Sequence, residues 1–411
     1  MNFGKRLPGY FLKRCYSRLI EWRFYTQSLY KPFDIHELKD VLVIRTDGLG
    51  DLILADPLFK LIKQTSKGVR VALISRGEWK EIFERSPYVD EVIPWDIQKY
   101  ARSLRYRMNF IRALRTRTFD AAIHPVYSRE PLSDEITCCT RAALKIGFDG
   151  DLNNIEKKRK RQNDRCYARL IRHDAVDCTE LERNRHFAEQ LVGMKIRADD
   201  FQPELWLTDE DRLVSAELLR RYGIDPDQNA LIALFPGASS AYKTWPPESY
   251  ADLGNRILQY FDSKFVICGT HAEADIARVV ASEIHGPVVN LAGKTSLTQL
   301  AAVLECSDLY IGSDTGPLHM AAAVGTPTLA IMGGGHFGRF YPYGDLNKHQ
   351  MVFKKMSCYG CNWKCIYETT RCIQEITVDD VWREAQRMIE EVVLPRREAR
   401  AMRRPTGVAI T

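Results

Sequence analysis

The sequence predicts an α/β protein built as two doubly wound, Rossmann-like halves facing a cleft. Three observations predict it. Short apolar runs alternate with amphipathic stretches in two separate series, the rhythm of parallel strands joined by crossover helices. Runs in both series end in turns rich in Gly, Ser, Thr and Asp, where open α/β sheets place their ligand sites. The 411 residues suit two or three domains of roughly 150 residues, each with its own core.

In chain order, residues 1–36 read as one or two amphipathic helices, with Phe11, Cys15, Leu19, Trp22 and Tyr25 recurring at helical spacing among Lys13, Arg14, Arg18 and Arg23. Such a segment lies on an anionic bilayer surface, on the protein's own body or on a second subunit. The first series then runs through strands at Val41–Ile44, Val69–Ile74, Val89–Pro94 and Asp120–His124, with a helix over Leu54–Lys63. It falters between Asp149 and Asn184, where EKKRKRQNDR reads as a solvated loop or as a grip for an anionic acceptor. A helix over Thr208–Tyr222, with Thr208 as its N-cap, links to the second series. That series has strands at Leu231–Phe235, Phe265–Cys268, Val288–Leu291, Leu309–Ile311 and Thr328–Met332.

Composition narrows the function. With 45% apolar and 27% charged residues the chain is an ordinary globular one, and no run of about 18 uninterrupted apolar residues is present. The net charge of +6 is carried by the ends: residues 1–31 hold seven Lys/Arg and one Glu, residues 395–411 five Arg and one Glu. The body between them is net acidic, which argues against a nucleic-acid binder. Eleven cysteines are too few for a disulfide scaffold, and Met1–Tyr10 lacks the features of a signal peptide, so a reducing cytoplasmic compartment is expected.

Three turns carry the chemistry. The first, RTDGLGDLI, places Arg45, Asp47, Gly48, Gly50 and Asp51 after a strand; its spacing fails the dinucleotide fingerprint. The second, FPGASSAYKTWP, offers Ser239, Ser240 and Lys243, the small residues, hydroxyls and compact cation that a diphosphate requires. The third, GSDTGPLHMAAAVGTP, joins Asp314, Thr315 and Gly316 to a helix N-terminus with Pro317 in its first turn. His319 there reads as a phosphate donor or as a packing residue.

Together VLVIRTDGLGDLILADPLF, LFPGASSAYKTWPPESYADL and YIGSDTGPLHMAAAVGTPTLAIMG resemble the bacterial heptosyltransferase family, glycosyltransferase family 9, over roughly residues 40–390. Shorter matches are Lys145–Phe148, His186 and Glu273. The resemblance implies the GT-B fold and an inverting transfer that needs no cofactor. With it, residues 40–205 read as an acceptor domain, 206–375 as a nucleotide-sugar domain with the Cys cluster and 376–411 as a C-terminal helix and basic tail, while the basic extension over 1–39, the basic run over 156–165 and the Arg-rich tail depart from the family. The resemblance makes Asp51 the general base, with Arg45, Asp47 and Gly50 on the acceptor side. Lys243 would neutralise the departing diphosphate. Ser239, Ser240, Thr315 and Gly316 would line it, Asp314 would shape the turn, and Glu273 would hold the ribose.

Cys358, Cys361, Cys365 and Cys372 form a separate constellation, which reads as a structural Zn²⁺ or Fe site, as two disulfides or as free thiols. The expected function is transfer of a heptose from ADP-heptose to a lipopolysaccharide core or similar lipid-linked glycan, by a protein peripheral at the inner face of the cytoplasmic membrane. The alternatives are another nucleotide sugar serving O-antigen, capsule or protein glycosylation, or a silent nucleotide-sugar-binding protein.

Overall fold

The computed structural model describes residues 20–21, 23–26, 34–175, 177–238 and 240–402. The chain divides into two compact units, one of residues up to 176 with 181–201, the other of 177–180 with 202 onward.

The first unit holds strands β1 (Asp40–Ile44), β2 (Arg70–Arg76), β3 (Glu91–Trp95), β4 (Phe119–His124), β5 (Ala142–Phe148) and β6 (Arg169–Ile171), in the order β3-β2-β1-β4-β5-β6. All neighbours are parallel; Val41 faces Val71 on one side and Ala121 on the other. The second unit repeats this order with β7 (Leu231–Phe235), β8 (Lys264–Ile267), β9 (Val288–Asn290), β10 (Leu309–Ser313), β11 (Thr328–Met332) and β12 (His349–Phe353), as β12-β11-β10-β7-β8-β9. Central strands such as β7, β10 and β11 are buried along their whole length, as a sheet covered on both faces requires.

Each unit has its own core. Leu42, Ile44, Ala72, Ile74, Trp95 and Ala122 anchor the first; Ile232, Leu234, Phe265, Leu309, Leu329 and Met388 anchor the second. The linker helix Asp209–Arg221 begins at Thr208, whose hydroxyl and Asp211 form a reciprocal capping box.

Some elements depart from the sequence reading. The first helix starts at Leu49 rather than Leu54, stops at Leu54, and a second runs over Asp56–Thr65 with a proline in its first turn. Strands β5, β6 and β12 were not anticipated. β6 has three residues, and β12 is a half-buried edge, so neither shows an apolar run. β5 carries Lys145 at its centre, fully buried because its ammonium donates to Thr26 O and Oγ1, both at 2.7 Å.

The basic segments are partly folded onto the body. Residues 1–19, and with them most of the proposed amphipathic helices, lie outside the described residues, as do 403–411 of the tail. Within what is described, Ile20 and Phe24 are buried in the first unit's core. In the charge run, the helix Lys157–Asp164 turns Arg159 onto Glu21 and Glu135, and Lys160 onto Asp149 and Asp164. Arg397 and Arg400 reach back to the buried Asp308, at 2.7 and 3.3 Å. These arginines hold the C-terminal helix Leu394–Met402 on the second unit. Among the described residues no helix is long and apolar enough to cross a membrane.

Candidate active site

In the first unit the strand order switches between β1 and β4, so their carboxyl ends flank the crevice that open α/β sheets use for ligands. β1 ends at Ile44, and Arg45 follows with only 1% exposure. A buried guanidinium requires partners, and this one has them on both sides of the switch. Its Nε stands 3.0 Å from Asp47 Oδ1 and its Nη2 3.9 Å from Asp51 Oδ1. Its Nη1 donates to Pro125 O, just past β4, and lies 3.5 Å from Asn184 Oδ1. Asn184 donates in turn to Leu54 O at 3.0 Å.

Arg45 therefore sets two carboxylates beside one cation. Asp51 lies in the first turn of the helix Leu49–Leu54, next to Gly50, where the helix dipole favours a negative charge. Gly48 leaves room for it, since a Cβ there would stand 2.9 Å from Asp51 Oδ2. The side chains of Asp47 and Asp51 keep 22% and 26% exposure, so both can be reached from solvent.

Behind them lies a buried network that the sequence did not reveal. His124, the last residue of β4, shares Asp134 Oδ1 with the Tyr167 hydroxyl at 3.3 and 2.7 Å, and Arg129 stands 3.5 Å from the same oxygen. Burial pushes the His124 imidazole below its ordinary range, against the pull of Asp134. Burial and the charge of Asp47 push the Glu130 carboxyl up.

In the second unit the switch falls between β7 and β10. The turn after β7 is pinned by Trp245, fully buried, whose indole N–H donates to Ile376 O at 2.9 Å. Two residues earlier, Lys243 crosses to the turn after β10: its ammonium donates to Asp314 O at 3.1 Å and lies 3.7 Å from Asp314 Oδ2. Thr315 N-caps the helix Gly316–Ala323 without a side-chain cap bond; Pro317 has no N–H and Leu318 N donates to Thr315 O at 3.1 Å, so Gly316 is the donor that the helix start presents.

His319, one turn into that helix, is buried, stacks on Tyr343 and shares a hydrogen bond with its hydroxyl at 3.1 Å. Burial, aided by Lys243, pushes its imidazole down to about 4. Glu273 lies at the other end of the β7 turn, with its Oε1 2.8 Å from where a Cβ on Gly237 would stand and its Oε2 accepting from Thr270 N at 2.7 Å. Ser240 accepts from Tyr242 N with its hydroxyl, so that oxygen is already used as a cap. Ser239 lies outside the described residues.

The four cysteines are free thiols, and all line one small cavity. Among the described residues, however, no group of three or more His, Cys, Asp or Glu side chains is arranged to hold a metal ion. Two of the sulfurs are engaged elsewhere: Cys372 accepts from Gly334 N at 3.4 Å and Cys365 points at Thr369 O at 3.7 Å.

The same loop brings unanticipated residues to Lys243. Trp363 places its ring 5.2 Å from the ammonium, and its N–H donates to His336 Nδ1 at 3.4 Å. His336 Nε2 pairs with Asn362 Oδ1 at 2.5 Å. Asn362 and Trp363 adopt φ of 50° and 58°, a left-handed conformation costing about 1–2 kcal/mol per residue for an L-amino acid. The signals in the sequence were the Gly333-Gly-Gly335 run and the tightly spaced cysteines, which mark a loop packed on backbone.

Two units of one parallel strand order, with an acid pair at one switch point and a lysine beside a helix N-terminus at the other, have the architecture of the GT-B glycosyltransferases. The sequence of residues 107–366 matches the profile of glycosyltransferase family 9 (heptosyltransferase), so the chain belongs to that family. It is 24% identical to the lipopolysaccharide core heptosyltransferase OpsX of Haemophilus influenzae, over 77% of this chain and 85% of that one. In fold it is similar to the family 9 glycosyltransferase from Veillonella parvula, at a TM-score of 0.71 and 18% identity, covering 88% of this chain and 99% of that one. It is also similar to the E. coli ADP-heptose lps heptosyltransferase II, at a TM-score of 0.67 and 18% identity, covering 86% and 99%.

Proposed function

We propose that this glycosyltransferase moves a heptosyl group from ADP-heptose to a hydroxyl of a lipopolysaccharide-core acceptor, with inversion. In this reading a carboxylate oxygen of Asp51 takes the proton of the acceptor hydroxyl. The hydroxyl oxygen bonds to the anomeric carbon as the bond from that carbon to the diphosphate breaks, and ADP leaves. Lys243, the Gly316 N–H and the positive end of the helix Gly316–Ala323 offset the charge that develops on the diphosphate. Glu273, with its Oε1 beside the Gly237 backbone, accepts from the ribose hydroxyls.

The observation that carries the reading is Lys243 facing Asp314 and the uncapped helix start across the β7–β10 switch, in a chain of this family. The heptose and the acceptor come from relatives such as OpsX, whose length this chain largely spans. Calorimetry with ADP, UDP, GDP and CMP tests it: ADP is expected to bind selectively. Selective binding of UDP or GDP would sink the heptose reading and leave the fold in place.

The four-thiol loop has the soft donor set of a structural Fe or Zn site, and its cysteines line one cavity, although the thiols are not gathered as ligands in this structure. Ligation would draw Cys372 off Gly334 N and fix the loop without opening a catalytic position. We expect elemental analysis of protein purified without chelator to find about one metal ion per chain. Less than a tenth of an equivalent in such protein would reject the metal and keep the thiols free.

A further inference from the structure

The four-cysteine loop lies far along the chain from Lys243, yet it is built against the same end of the second sheet. Its backbone is tied to the glycine run that follows β11: Gly360 N donates to Gly334 O at 2.8 Å and Asn362 N to Gly335 O at 3.0 Å. Trp363 then lies flat on Gly335, where a Cβ would come within 2.3 Å of the indole ring. A tryptophan held at positive φ, pinned by an indole N–H bond and seated on a residue that must be glycine is fixed at several points. Such over-determined strain clusters where a side chain must be held for function. What the ring meets there is the Lys243 ammonium.

We infer that Trp363 is a positioning residue for Lys243, so that the four-cysteine loop is part of the diphosphate-binding apparatus. The inference rests on the reading of Lys243 as the lysine that meets the donor diphosphate. A lysine stem has four carbons and many rotamers, and a cation freezing on arrival of a ligand loses that freedom at the ligand's expense. Here the ammonium is held beforehand by three groups: the Asp314 carbonyl at 3.1 Å, the Asp314 carboxylate at 3.7 Å and the face of Trp363 at 5.2 Å. The two Asp314 contacts alone would draw the ammonium towards the carboxylate. The ring quadrupole attracts it from another side without competing for its N–H donors.

The test is a set of calorimetric titrations with ADP and AMP on the full chain. Trp363→Leu keeps an apolar body over Gly335 and removes the aromatic face; Trp363→Phe keeps both. Gly335→Ala displaces the native ring from below and serves should Trp363→Leu fold poorly. We expect Trp363→Leu and Gly335→Ala to weaken ADP about three- to tenfold, the range of a partly desolvated cation–π contact. AMP, which lacks the second phosphate, should bind as before, and Trp363→Phe should stay within about twofold of the parent. In a Lys243→Ala background Trp363→Leu should add nothing further, because the group it positions is gone.

Equal losses in Phe and Leu, or a Leu effect undiminished without Lys243, would overturn the inference and leave the ring a prop for the loop. If Lys243→Ala itself leaves ADP affinity unchanged, the lysine reading fails, and the role of Trp363 in donor binding falls with it. That outcome is distinct, because it is read in the lysine variant alone.

Discussion

Asp51→Ala is expected to lower kcat by about 10²- to 10⁴-fold, the contribution of a positioned general base, with ADP affinity within about twofold of the parent. The expectation follows from where the carboxylate stands. Asp51 is in the first unit, in a helix first turn, and the residues read as meeting the nucleotide are all in the second. Removing it should therefore touch the proton and not the donor.

The variant should also fold. Arg45 loses a contact at 3.9 Å but keeps Asp47 at 3.0 Å, Pro125 O and Asn184, so no buried charge is left unpaired. Asp51→Asn is the stricter version: it keeps the shape and removes the base, and should be about as slow as Asp51→Ala. Turnover within a few-fold of the parent in either variant would remove Asp51 from the mechanism. Asp47 would then be the carboxylate to test, since it shares the same arginine and a similar exposure.

What the sequence made legible was local. Asp51, Lys243 and Asp314 each sit in a turn directly after an apolar strand, and a turn motif of about ten residues carries its own geometry. The doubly wound class followed from the strand rhythm, although not the full strand order, and Thr208 was readable as a cap because capping is settled within one turn. The contributions that escaped depend on residues distant in sequence. Arg45 was read as an acceptor-side residue of the first turn, yet it joins β1, the exit of β4 and Asn184 139 residues away. Trp363 reaches Lys243 only because β11 is followed by three glycines on which a remote loop is laid. Ser240 shows a use that its type alone did not: the 3-10 turn that delivers Lys243 takes its hydroxyl oxygen as a cap, and the O–H is still there to donate to a phosphate. The cysteines show a related gap, because spacing places four thiols on one loop without fixing where the sulfurs point.

The second large effect is expected at Lys243. Lys243→Ala should cut kcat/KM by about 10²- to 10³-fold, as loss of one preorganised charge donor does, and weaken ADP binding in parallel. Both parameters should move, because the ground-state diphosphate is already charged and gains further charge as the sugar departs. The loss should exceed that of one cation. Asp314 is buried, with its carboxylate 3.7 Å from the ammonium, and without Lys243 that carboxylate faces an incoming diphosphate as a like charge. Lys243→Ala with Asp314→Asn should accordingly bind ADP more tightly than Lys243→Ala alone, although Asp314→Asn in the parent removes a group that holds the lysine and should weaken ADP. This reversal of sign between backgrounds separates an electrostatic partnership from simple loss of packing, which would make the double variant the weaker of the two. Raising the salt concentration should narrow the gap between the single and double variants in part, since the Lys243 side chain keeps 19% exposure and the site is still open to some screening. A double variant that binds no better than Lys243→Ala at any ionic strength would show that Asp314 shapes the turn and leaves the ligand's charge to other groups.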